Sequence, residues 1–254
     1  MASNTREYEA IDLERHTSAQ FDAELEDIRE RVLSMGGLVE QQVADSAQAL
    51  VAGDGELGER VAHQDYHVNS AEVDIDEQCT RIIAKRQPQA SDLRLVLAIA
   101  KTITDLERIG DEAEKIGRFA AQAASRERPA NAFRQIDTLA THVRQMMRDA
   151  LDAFARLDAE AALAVAQADE GVDREYESAI RECMTFMMED PRTISPMLDV
   201  LWAVKALERI GDHATNIGEY VVYLVGGRNV RHTSVEAMEQ VVAETPRVPR
   251  QAGG

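Results

Sequence analysis

LERIGD at Leu106–Asp111 recurs as LERIGD at Leu207–Asp212, 101 positions further along the chain. Six identical residues at matching places in two halves mark an internal duplication. Working outward from this pair, the register persists. Asp54 matches Asp158, Glu56 matches Glu160, Asp65 matches Asp169, Val68 matches Val172 and Cys79 matches Cys183, each pair 104 apart. A three-residue difference in the proline-containing linker reconciles the two offsets.

The repeated unit reads as three helices. Apolar residues at Phe21, Leu25, Ile28, Val32, Met35, Val39 and Val43 alternate steps of four and three, which is one face of a long helix. Gly36 and Gly37 interrupt that pattern, and Gly53-Asp54-Gly55 supplies a tight turn. A second helix is predicted from about Glu56 to Lys85. A third runs from Ser91-Asp92, which offer N-caps, to about Ala123. The pattern restarts with Phe133, Ile136, Ala140, Val143, Met147 and Phe154, then Glu160 to Met188. A sixth helix is entered between Pro191 and Pro196 and stops at Gly226-Gly227. The expectation is an all-α chain of two tandem antiparallel three-helix bundles, 18–124 and 130–226, with 1–17 and 228–254 as flexible termini.

Composition agrees. Apolar residues make up 44% and aromatics only 4%, a mix that favours helices over strands. With 46 acidic against 28 basic residues the net charge is −18, which repels nucleic acid and anionic lipid. Two cysteines far apart, without a CxxC pair, argue against a zinc knuckle or a thiol redox site. The start is polar, and no apolar run approaches the roughly 18 residues that span a bilayer. A cytoplasmic protein, membrane-associated only through partners, is the expectation.

Acidic residues sit where a core stripe should be. In the second helix Val61, Asp65, Val68, Glu72, Ile75, Cys79 and Ile82 share a face, and Val165, Asp169, Val172, Tyr176, Ala179 and Cys183 repeat it. A carboxylate on such a face needs a cation or hydrogen-bond donors. In the third helix Glu107 and Asp111 lie one turn apart just beyond the apolar face of Leu106, Ile109, Ala113 and Ile116, and Glu208 and Asp212 do the same in the sixth. Like charges at that spacing repel, and a bound cation reverses the sign of that term. Ion pairing with the adjacent Arg108 and Arg209 is the competing reading. Gly110, Ala113 and Gly117, with Gly211, Ala214 and Gly218, permit close helix approach. Glu59, His63 and His67 have zinc-like spacing but lie opposite Val61 and Val68 and have no counterpart in the second half. His213 points about 100° away from Asp212 on a regular helix, which sets it apart from that carboxylate.

Two longer segments, RQPQASDLRLVLAIAKTITDLERIGDEAEKIG (Arg86–Gly117) and ALERIGDHATNIGEYVVYLVGG (Ala206–Gly227), resemble the signature regions of PhoU proteins, and FDAELEDIRERVLSMGGLVEQQV is similar to their opening. The resemblance covers about residues 18–226. It implies two similar three-helix bundles and metal binding through E(D)xxxD motifs, with multinuclear iron or zinc in some members and magnesium or manganese in others. By motif match the implied metal ligands are Asp65, Glu107 and Asp111 in the first half and Asp169, Asp173, Glu208 and Asp212 in the second. Asn69 departs from the acidic pattern and leaves the first site one charge short. No organic cofactor is implied. The resemblance further implies a negative regulator of the phosphate-starvation response. Such a regulator couples the ATPase subunit of a phosphate ABC transporter to a sensor histidine kinase, often as a homodimer.

No GxSxG, P-loop or HExxH occurs, so the chain reads as an adaptor and not an enzyme. Two alternatives stand beside it. One is a di-metal carboxylate enzyme of the ferritin-like kind, although its inward Glu-x-x-His motifs are missing. The other is a metal-free helical adaptor whose acidic pairs are ion-paired.

Overall fold

The stripe from Leu25 to Val43 becomes the buried face of the first helix: Leu25, Ile28, Val32, Met35, Val39 and Val43 all lie in the core. In the computed structural model, which describes residues 4–124, 134–231 and 233–245, that helix is α1 (Asn4–Ala52), and it passes unbroken through Gly36 and Gly37. It starts earlier than the periodicity indicated, because residues 4–18 are helical in backbone. Phe133 of the expected stripe lies outside the described residues.

After α1 the chain turns at Gly53, whose positive φ of 73° suits glycine. Asp54 then caps α2 (Gly55–Gln64) by accepting from the Leu57 amide at 2.9 Å. The expected single second helix is divided here. It breaks at Asp65 and resumes as α3 (Tyr66–Arg86). Asp65 keeps right-handed dihedrals, and its carbonyl accepts from both Val68 and Asn69, so the helix is interrupted without a glycine or proline. α4 (Ala90–Ala123) follows. Its N-cap is Gln89 without a side-chain bond, so Ser91 and Asp92 fall inside the first turn and do not cap it.

The second half repeats the plan. α5 (Arg134–Arg156) leads to Asp158, which caps α6 (Ala159–Glu189) by accepting from Ala161 at 3.0 Å, as Asp54 does in the first half. A short 3-10 turn (Pro191–Thr193) leads into α7 (Ile194–Gly226), which ends at Gly227 with φ 71°. One element corrects the expectation that 228–254 is a flexible terminus. α8 (Val235–Glu244) is capped by Ser234 and lays Met238, which is buried, against α6 and α7.

α1 packs on α2, α3 and α4, and α5 packs on α6 and α7, giving two antiparallel three-helix bundles. α4 against α7 and α1 against α5 join them. The core is aliphatic and runs through both. Close approach depends on missing side chains at one crossing above all. A Cβ on Gly58 would lie 2.5 Å from the Gly117 carbonyl oxygen, and one on Gly117 would lie 2.8 Å from that of Gly58. α2 and α4 therefore touch backbone to backbone.

Candidate functional site

Asp65, at the break between α2 and α3, presents a carboxylate, 5% exposed, to α4. Gly110 stands opposite, where a Cβ would come within 3.1 Å of Asp65 Oδ1. Both oxygens are supplied with donors: Gln42 Nε2 donates to Oδ1 and Asn69 Nδ2 to Oδ2, each at 2.9 Å. The opposite side of this carboxylate meets α4. There the ligand oxygens of Asp65, Asp111 and Glu114 all lie within 4.8 Å of one another. Burial pushes the Glu107 carboxyl above its ordinary range, and Asp111, Glu72 and Asp65 push it further. Asp111 is raised too, by burial first and then by Asp65. Asp65, Asp111 and Glu114 thus converge, and Glu107 and Glu72 lie near enough to add to the same negative field.

Glu114 was not among the expected ligands. It lies three residues beyond Asp111 on the same edge of α4, and its charge makes good the one that Asn69 lacks. The cations nearby are peripheral. Arg108 reaches Glu107 and Asp111 only at 3.4 Å from an exposed position, and Arg118 holds Glu114 at 2.9 Å from the solvent side.

The second cluster uses the same frame with different chemistry. Asp169 sits in an unbroken α6, facing Gly211. Its Oδ1 and the Thr215 hydroxyl are both buried without a partner at hydrogen-bonding distance. Burial, then Asp212 and Asp173, push the Asp169 carboxyl up to about 6, and the nearby Thr215 hydroxyl offsets this only in part. Asp212 is raised by partial burial and then by Glu208. Glu208 is engaged. Lys205 Nζ reaches its two oxygens at 2.6 and 2.5 Å while lying 5.2 Å from the centre of the Tyr176 ring. By the duplication Lys205 corresponds to Thr104, Tyr176 to Glu72, Asp173 to Asn69 and Thr215 to Glu114. Of the expected ligands, only Asp65 and Asp111 converge this closely, together with Glu114; Asp169, Asp173, Glu208 and Asp212 act on one another through their charges without forming a comparable group among the described residues. The first cluster is denser in carboxylates, and the second carries its own cation.

The other sequence candidates separate cleanly. Glu59, His63 and His67 are exposed. His213 turns to the other bundle, where its Nδ1 lies 2.7 Å from Asp105 Oδ1, and Asn216 donates to the same oxygen at 3.0 Å. Glu112, also buried, meets Arg209 of α7 at 2.9 Å and Lys115 at 3.0 Å. Asp105 and Glu112 thus fasten α4 to α7. The signal for them was available: two acids seven residues apart flanking the apolar stripe of α4.

The model of the PhoU domain matches twice, over residues 32–120 and 136–221. The chain belongs to the PhoU family. A phosphate-specific transport system accessory protein PhoU homolog of Pseudomonas putida is 52% identical over 233 residues, covering 92% of this chain and 91% of that protein. The phosphate-specific transport system accessory protein PhoU of Escherichia coli (strain K12) is 47% identical, covering 92% and 97%. The crystal structure of PhoU from Pseudomonas aeruginosa superposes with a TM-score of 0.79 at 52% identity, covering 82% of this chain and all of that one. The all-α PhoU fold is thereby established. Among the described residues no helix is long and apolar enough to cross a membrane.

Proposed function

We propose that this chain is a non-enzymatic regulator of phosphate transport, acting as a negative regulator of the phosphate-starvation response. The observation that carries the reading is identity of 47–52% across nine-tenths of the chain with accessory proteins of the phosphate-specific transport system. In this role the cytoplasmic chain, as a homodimer, bridges the transporter's ATPase subunit and a sensor histidine kinase.

Metal binding belongs to the same proposal. The donors are all carboxylate oxygens, which suit a hard cation such as magnesium, manganese or ferric iron better than zinc. The first cluster fits such an ion: three carboxylates lie within 4.8 Å of one another. Asp65, Asp111 and Glu114 would hold it, with Glu107 at the edge. A bound cation supplies positive charge that offsets repulsion between α4 and the α2–α3 break. Gln42 and Asn69 fix the direction in which Asp65 presents its oxygens. In the second cluster Asp169, Asp173 and Asp212 would be the ligands. Lys205 on Glu208 favours the ion-paired reading there.

The functional reading is tested in a bacterium deleted for its own PhoU relative and carrying a phosphate-repressible reporter. Expression of this chain is expected to restore repression in phosphate-replete medium. A folded, well-expressed chain that leaves the reporter fully on overturns the reading.

A further inference from the structure

Ten large apolar side chains are exposed among the described residues, and five of them, Met184, Met188, Ile194, Leu198 and Trp202, belong to the closing end of the α6–α7 hairpin. Ile194, Leu198 and Trp202 are spaced by four, so they form a strip about 12 Å long on α7. Met184 and Met188 repeat that spacing on α6. The rungs of the hairpin are set by Lys205 over Tyr176. Eight residues on from Tyr176 and eight back from Lys205 bring Met184 level with Met197 and Leu198. Trp202 is 61% exposed and Met188 85%.

The duplication supplies an internal control. The equivalent positions in the first half are Thr80, Ala84, Leu93, Leu97 and Lys101, so only two of the five are large and apolar. Core positions such as Val68/Val172 and Cys79/Cys183 are shared between the halves, whereas this surface is not. The fold therefore does not require it.

The surroundings indicate what would cover it. From Asp173 to Lys205 the hairpin carries seven acidic residues (Asp173, Glu175, Glu177, Glu182, Glu189, Asp190 and Asp199) against four basic ones (Arg174, Arg181, Arg192 and Lys205). All four basic groups already face carboxylates: Arg174 on Glu170 at 2.6 Å, Arg181 on Glu177 at 3.4 Å, Arg192 on Asp190 at 2.8 Å and Lys205 on Glu208 at 2.5 Å. Methionine and tryptophan on a shallow apolar strip accommodate helices of varied sequence. A second copy of this chain would bring an equally acidic rim against the first, at −18 per chain. We propose that this face receives an amphipathic helix with basic flanks from a partner protein. The surface is separate from the carboxylate clusters, and its test does not depend on the phosphate-regulatory reading.

Trp202 is the single tryptophan and reports directly on this face. The probe is a capped 18-residue peptide with leucine at positions i, i+3, i+4 and i+7 of each repeat and lysine elsewhere. Titration is expected to blue-shift Trp202 emission saturably, with affinity falling at least about tenfold between 50 and 300 mM salt. Anisotropy of the labelled peptide should show Leu198→Asp weakening binding about tenfold or more, while Leu97→Asp in the first bundle leaves it unchanged. Unchanged emission overturns the proposal. So does an equal response to a scrambled peptide of the same composition, or to one with glutamate in place of lysine. A dimer in sedimentation that Leu198→Asp dissociates overturns it as well, because a second copy would then be the occupant.

Discussion

Replacing Asp169 by asparagine removes a charge that the fold accommodates poorly, and the metal-free protein is expected to gain stability from the change. The sign follows from linkage. Burial, Asp212 and Asp173 raise this carboxyl to about 6 from an ordinary 3.8. Between those values the folded state binds more protons than the unfolded state, so stability falls as pH rises through the window. The penalty is complete above about 6 and absent below about 3.8. Two pH units at about 1.4 kcal/mol each set a ceiling near 3 kcal/mol. The site is open enough to solvent that screening reduces this to about 1–2 kcal/mol. For a chain of this size that is about 2–8 °C in Tm. The assay is thermal unfolding of chelator-treated wild type and Asp169→Asn at a series of pH values from 4 to 8. The difference between variant and wild type should grow in favour of the variant by that amount across the window and then level off. A flat difference, or one growing in favour of wild type, refutes the electrostatic account of the second cluster.

Other outcomes follow from the same geometry. Lys205→Thr places the first-half residue in the second half and frees Glu208, so the variant should bind an additional manganese ion, read by equilibrium dialysis and metal analysis. Asp111→Asn combined with Glu114→Gln removes two of the three converging carboxylates of the first cluster, the ones proposed to hold a cation. Bound metal there should drop by at least about tenfold in affinity, with the fold retained by circular dichroism. Gly58→Ala places a Cβ 2.5 Å from a backbone carbonyl and should cost about 1–3 kcal/mol, read in urea unfolding.

The helices were legible because their buried faces follow steps of three and four, and because Gly53-Asp54 and Gly226-Gly227 punctuate them. The division at Asp65 was not. It involves no glycine or proline, and the same register in α6 runs through Asp169 without a break. α8 was missed because a ten-residue helix with one buried residue leaves little periodicity to read. Its signal was Ser234 ahead of Val235–Glu244. The membership of the carboxylate clusters was mostly legible, since Glu107 with Asp111 and Glu208 with Asp212 share an edge at one-turn spacing. Glu114 and Lys205 lie three residues from known members, within reach of the same rule. Their importance depended on which way each neighbouring helix is rotated, and that is fixed only by packing.

The two halves show where a duplicated fold can change and where it cannot. Gly110 and Gly211 both stand opposite an aspartate, and neither position admits a side chain without displacing Asp65 or Val172. Those residues set the distance between helices, so they stayed the same. Around them, Asn69/Asp173, Glu72/Tyr176, Thr104/Lys205 and Glu114/Thr215 exchanged charge for neutrality and back. Each exchange alters the field at the crossing while leaving the apolar contacts beneath it untouched. The first crossing has three converging carboxylates, with Glu107 and Glu72 adding to the field and with peripheral cations. The second lost one carboxylate and acquired an internal ammonium group held by Glu208. A single site would have to trade cation affinity against stability of the empty state. On the proposed metal-binding reading, the denser first crossing would be the stronger cation ligand, while the second would hold Glu208 with its own ammonium group and still carry the unfavourable Asp169 charge when empty.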